Sequence, residues 1–226
     1  MAVGDPPYDA ADVESGLERD LLYAWWEATA TAEPGVPGPA ARRMGRTPDW
    51  VQRCLNALSN SRFWAGMAES AMIGDLKQVS DYIEKPGVRQ AVQARVAAAI
   101  EEDTVVMVGH SLGSVVAYEA LCANPDWPVR TLVTLGSPLG IRNLIFDRLV
   151  PAPVEGRGAW PGSVRRWVNI ADRGDVVALV KDLGPLFGPE VECPLVHNGV
   201  TAHAIGRYLN VEETGHAIAS GLSASV

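Results

Sequence analysis

The spacing of apolar residues changes character about midway along the chain. In the first half it follows helical periodicity. Between Val13 and Thr31, residues Leu17, Leu21, Leu22, Trp25 and Trp26 form one stripe, which predicts an amphipathic helix. A second helix is expected through Trp50, Val51, Cys54, Leu55 and Leu58, with Asp49 as its N-cap. A third helical stretch runs from about Arg62 to Ile83, weakened by Gly66 and Gly74. Pro86-Gly87 breaks the chain, and Val88, Val92, Val96 and Ile100 then recur at i, i+4 spacing. Between the first two helices, the run from Glu33 to Pro48 is dense in proline and glycine and reads as a linker.

From Asp103 onward the pattern is that of strands. Thr104 to Val108 is a short apolar, β-branched run ending at Gly109, as expected of a strand buried on both faces. Thr131 to Leu135 repeats that signature, and Arg166 to Ile170 is a third strand. Ser114 to Ala123 has helical character, and a final helix is expected from Ala202 to Leu209. Strands alternating with helices at these intervals predict βαβ crossovers and an α/β fold with a mostly parallel sheet.

Composition narrows the function classes. At 226 residues the chain fits a single domain, 1–226, able to bury a full core. Within it, 1–102 reads as mostly helical and cap-like, and 103–226 as the core that carries the chemistry. A net charge of −8 with three scattered lysines, Lys77, Lys85 and Lys181, argues against a nucleic-acid surface. Cys54, Cys122 and Cys193 are far apart, odd in number and without metal-ligand spacing. They fit reduced thiols, no metal, and a cytoplasmic setting. Neither a signal peptide nor an apolar run of membrane-spanning length is legible.

Against that background stands Gly109-His110-Ser111-Leu112-Gly113, a G-x-S-x-G pentad. Composition alone yields such a pentad on the order of once in ten chains of this size, so context carries the weight. Here it directly follows a strand and precedes a helix. A serine on so sharp a turn is held in a strained conformation that presents its Oγ, and flanking side chains would collide, hence glycine on both sides. The Leu112 N–H, at the helix N-terminus, points where an oxyanion would form. The competing interpretation is a strand-turn-helix joint with an incidental serine.

At these residues the chain is similar to the α/β-hydrolase superfamily, most of all to lipase- and esterase-like serine hydrolases of the G-H-S-L-G type. The similarity covers Val105–Leu121, Thr131–Gly140 with its T-L-G-S-P-L-G, Trp167–Ala178 and Asn198–Leu209, in the superfamily's order. It implies a three-layer α/β-hydrolase-like fold and a triad running serine, acid, histidine. Asp175 is favoured as the acid because it matches an N-x-x-x-x-x-D-x-V pattern and leads into an apolar run. Asp172 is the alternative, although Arg173 beside it suggests a surface turn. His203, in an H-x-x-x-x-Y-L segment, is favoured as the base, with His197 as the alternative. His110 lies inside the elbow and His216 near the tail, both poorly placed.

The resemblance thus implies a cofactor-free hydrolase of a carboxylic ester or thioester, acting on a small acyl substrate, with acyl transfer to another nucleophile as a variant. Two features depart from it. No Gly-rich loop before residue 104 offers a second oxyanion donor, and the first hundred residues lack the buried strands expected ahead of the elbow. A shortened hydrolase, a compact one with a helical cap, and a catalytically degenerate binding or assembly protein all fit. Missing strands would leave a sheet edge that a second copy could cover. Dinucleotide or phosphate binding ranks low, since both glycine fingerprints are absent.

Overall fold

The computed structural model describes residues 7–39, 50–64, 67–199 and 202–223. The predicted N-cap Asp49, Gly66 and most of the Glu33–Pro48 linker lie outside them. The chain divides into two compact units, Met1–Pro86 and Gly87–Val226.

In the first unit, α1 (Gly16–Ala32), α2 (Trp50–Ser59) and α3 (Glu69–Glu84) carry the expected stripes. Ser15 and Glu18 cap α1 reciprocally, each side chain accepting from the other's backbone N–H. Leu17, Leu21, Leu22, Trp25 and Trp26 are all buried, as are Cys54, Leu55 and Leu58 of α2 and Met72, Ile73 and Leu76 of α3. Gly74 is tolerated inside α3 because the apolar face on either side of it is fully buried.

The second unit opens within α4 (Pro86–Ala99), all of which but Pro86 belongs to it. The helical run breaks at Lys85, one residue before the expected Pro86-Gly87, and Pro86 begins the new helix, as a residue with fixed φ and no N–H can at a first position. None of its residues is fully buried. The Val88–Ile100 stripe is therefore a half-covered face. Then follow β1 (Val106–His110), α5 (Leu112–Ala123), β2 (Thr131–Leu135) and β3 (Arg166–Asp172). After these come α6 (Gly184–Phe187), β4 (Leu195–Val196), α7 (Ile205–Leu209) and α8 (Glu212–Ser223). The four strands form one all-parallel sheet in the order β1-β2-β3-β4. The chain is an α/β protein.

Strand alternation sorts the two faces. Val133, Leu135, Val168 and Ile170 share one core with Tyr208 of α7 and Ala217 of α8. On the other face Trp167 stacks on Tyr118 of α5 and packs against Phe187. Two expectations need correction. The elbow strand β1 is an edge, with Val108 39% exposed, because nothing described pairs on its outer side. The final helix is α8, and the predicted one from Ala202 shortens to α7, preceded by a turn.

Among the described residues, no helix is long and apolar enough to cross a membrane, and no group of three metal-ligating side chains converges. The three cysteines form no disulfide.

Candidate functional site

The strands end where the candidate residues gather. At the end of β1 the Ser111 N–H still donates to the Leu135 carbonyl at 3.0 Å. The chain then turns sharply, with Ser111 at φ 51° and ψ −128°. A positive φ in a residue with a Cβ costs about 1–3 kcal/mol and persists only when its surroundings impose it. They do so here through Gly109, where an added Cβ would lie 2.6 Å from the Gly113 carbonyl oxygen and 2.8 Å from the Ser114 Cα. The Ser114 hydroxyl closes the turn by donating to the Gly109 carbonyl at 3.0 Å. Gly113 differs from expectation, since a Cβ there would meet nothing within 4 Å. Only the first glycine of the pentad is sterically required, because close approach runs from Gly109 to the backbone of Gly113.

Ser111 makes no capping bond to α5, which leaves its hydroxyl for His203. His203 Nε2 stands 3.0 Å from Ser111 Oγ, and His203 Nδ1 stands 2.8 Å from Asp175 Oδ2. A carboxylate can only accept, so Nδ1 carries the ring proton and Nε2 is left to accept from the serine. Leu112 opens α5, directly after Ser111, and the first N–H groups of a helix have no acceptor within it. His203 occupies the turn before α7, its side chain 19% exposed.

The structure also separates the alternatives. Asp175 is wholly buried and divides its oxygens: Oδ1 accepts from the Val177 and Ala178 N–H groups, and Oδ2 accepts from His203 and, at 2.7 Å, from the Tyr208 hydroxyl. Burial alone would raise its pKa, but His203, Tyr208 and the nearby Lys181 hold it down at about 2. Asp172 is equally buried, contrary to a surface turn. Its oxygens accept from the Gly174 and Asn198 N–H groups, so it braces the loop, while Asp175 takes the bond to His203. His197 is exposed just past β4, and His216 is solvent-facing on α8 with Glu212 as its neighbour.

His110 has a part that its place in the sequence does not disclose. Its Nε2–H donates to the His203 backbone carbonyl at 2.8 Å, and the two rings lie 4.7 Å apart. Burial, then the neighbouring His203, pushes its pKa down, which keeps it neutral beside the other imidazole.

Three further residues escaped sequence reasoning. Tyr208 bridges the two aspartates, accepting from the Asp172 N–H at 2.9 Å while donating to Asp175. Burial raises its pKa, so it stays a donor. Asn198 donates to the Ala202 carbonyl at 3.1 Å and fastens the segment that leads into His203. Gly136, at φ 53°, lies where a Cβ would come within 2.9 Å of Asp175 Oδ2 and 3.1 Å of His203 Nδ1. The T-L-G-S-P-L-G segment held a signal for Gly136, since a glycine directly after a buried strand often marks a close approach. A cleft of about 530 Å³ lined by Arg157, Trp160, Arg165 and Phe187 lies by the start of β3, and no residue of the serine site lines it.

Comparison with known proteins adds no relative: no family model matches the chain, no curated protein matches it, and no solved structure matches it. What the residues themselves define is an α/β protein whose parallel sheet presents a serine–histidine–aspartate hydrogen-bond chain at its strand ends.

Proposed function

We propose that this chain is a serine hydrolase of the α/β-hydrolase kind, cleaving a carboxylic ester or thioester through an acyl-enzyme on Ser111. One observation carries this: an unbroken hydrogen-bond chain from Asp175 through His203 to a serine on a strained strand-to-helix turn. In the proposed cycle His203 Nε2 takes the Ser111 proton as Oγ attacks the acyl carbon. Asp175 fixes the tautomer and steadies the imidazolium. The Leu112 N–H donates to the oxyanion, and His203 returns the proton to the departing alcohol or thiol. A water, deprotonated by the same histidine, then releases the acid and restores the serine. No cofactor enters the cycle. The substrate is a small acyl compound, and acyl transfer to a nucleophile other than water uses the same steps.

A second reading, a binding or assembly protein that keeps the scaffold without turnover, draws on the exposed outer edge of β1. In the superfamily the second oxyanion donor comes from a loop after an earlier strand. Losing one such donor typically costs about 10²–10³ in rate, so a single Leu112 donor is compatible with slow turnover.

A fluorophosphonate probe separates the two. The hydrolase should be labelled on Ser111, with the adduct located by mass spectrometry and lost in Ser111→Ala and His203→Ala. Folded protein that stays unlabelled at Ser111 would leave the scaffold reading in possession.

A further inference from the structure

Lys181 is the one lysine of the second unit, and nothing in the proposed cycle uses it. Its ammonium turns inward and donates to the backbone carbonyl of Asp175. Its own carbonyl is held from the sheet by a buried relay. Trp167 Nε1–H donates to Thr134 Oγ1 at 3.0 Å, Thr134 donates to Asn169 Oδ1 at 2.8 Å, and Asn169 Nδ2 donates to the Lys181 carbonyl at 2.9 Å. Each link is a polar group satisfied inside the core, an arrangement that fixes position far better than an exposed lysine could.

The charges around it include two buried carboxylates. Asp172 and Asp175 are both buried, three residues apart, and their oxygens accept from backbone N–H groups, the Tyr208 hydroxyl and His203. Both carboxylates act only as acceptors, from donors on every side. Of the other groups near the site, burial lowers the pKa of His110 and raises that of Tyr208, and Arg173, Asp182 and Arg207 are exposed. Burial lowers the Lys181 pKa, but the carboxylates of Asp175 and Asp172 oppose that shift. With Lys181 charged, the resting cluster carries one net negative charge, which the transient imidazolium on His203 neutralises. Without it, the cluster would hold two buried carboxylates and lose this offsetting cation.

We propose that Lys181 is a positioning residue which, anchored on the Asp175 backbone, offsets one of the two buried aspartates and so sets the pH range in which His203 can act as a base. The proposal rests on the hydrolase reading and adds to it. Two uncompensated carboxylates hold an imidazolium proton more tightly, so the base would stay occupied to higher pH.

The test compares wild type with Lys181→Gln, which keeps a donor without the charge, with Lys181→Met, and with Lys181→Arg. Rates of fluorophosphonate labelling are followed between about pH 5 and 9. In either neutral variant the acid limb should move up by about one pH unit, with labelling below the limb down by about tenfold and recovery at the alkaline end. Lys181→Arg should return the limb to its wild-type position. A neutral variant whose limb does not move, whatever its overall rate, overturns the proposal, and one folded neutral variant suffices. If wild type never labels Ser111, the hydrolase reading falls. Following the His203 ring resonances with pH in the same proteins still decides Lys181: an upward move of the ring's titration in the neutral variants supports it, and none overturns it.

Discussion

Gly136 is where the backbone gives way to the side chains of the site. At φ 53°, any residue with a Cβ is strained, and the space a Cβ would fill is already held by Asp175 Oδ2, Tyr208 and His203 Nδ1. In Gly136→Ala the carboxylate or the imidazole must move by several tenths of an ångström, out of a hydrogen bond now 2.8 Å long. Labelling of Ser111 should fall on the order of 100-fold, since small misplacements of a catalytic group cost that much. Thermal unfolding should show a loss of about 1–3 kcal/mol. Gly113→Ala is the contrast: the added methyl meets nothing, and a helical Gly-to-Ala change should be neutral or stabilise by up to about 1 kcal/mol with labelling retained. Equal losses in both would mean that Gly136 has no special place. At this scale the sequence disclosed residue types well. The pentad exposed Ser111, and pattern favoured Asp175 and His203, the residues the structure brings together. What stayed hidden were partners whose roles exist only across long sequence separations. Tyr208 to Asp175 spans 33 positions and His110 to the His203 carbonyl spans 93, and no local pattern encodes either bond.

Among the elements, β1 behaves least as its composition suggests. A continuous apolar run ordinarily means a strand covered on both faces and paired on both edges, yet Val108 is exposed and, among the described residues, only β2 pairs with β1. Apolar character reports what a strand could bury, and cannot report how many neighbours the chain supplies. The pairing fixes which amides are affected. Ser111 N–H bonds to β2, and in a parallel ladder alternate residues bond to the same side. Gly109 and Met107 therefore point inward to β2, while Val106, Val108 and His110 direct their N–H groups outward. Hydrogen exchange of the native protein should show that alternation, with Val106 and Val108 exchanging well before Met107 and Gly109. Uniform protection along β1 would mean that something covers the edge. The helices fared differently: α1 and α2 followed their stripes because periodicity and burial agree there. The Val88–Ile100 stripe predicted α4 but not its half-covered state, which depends on what stands opposite and not on the stripe itself.

For the whole molecule, the decisive fact is that every group in the serine site belongs to one of the two units. Ser111, His203 and Asp175, their supports Gly136, Asp172, Tyr208, Asn198 and His110, and the relay to Lys181 all fall within Gly87–Val226. The first unit has a core of its own, built from α1, α2 and α3 and closed by contacts such as Trp25 on Trp64. A domain with its own core and its own hydrogen bonds can in principle fold alone. A chain consisting of residues 87–226 should therefore be soluble, unfold cooperatively, and label at Ser111 within about tenfold of the full protein, the slack allowing for altered access to the serine. Substrate turnover is a separate measurement with a separate meaning. If the helical first unit works as a cap over the acyl group, excising it should raise KM for long apolar acyl esters more than for acetyl esters, because the lost contacts bind remote parts of the substrate. Equal effects on both esters would remove the cap from the account. Loss of Ser111 labelling in a folded 87–226 chain would instead show that the site needs a group from the first unit, and the hydrogen-bond chain at the strand ends would then be only part of the proposed catalytic apparatus.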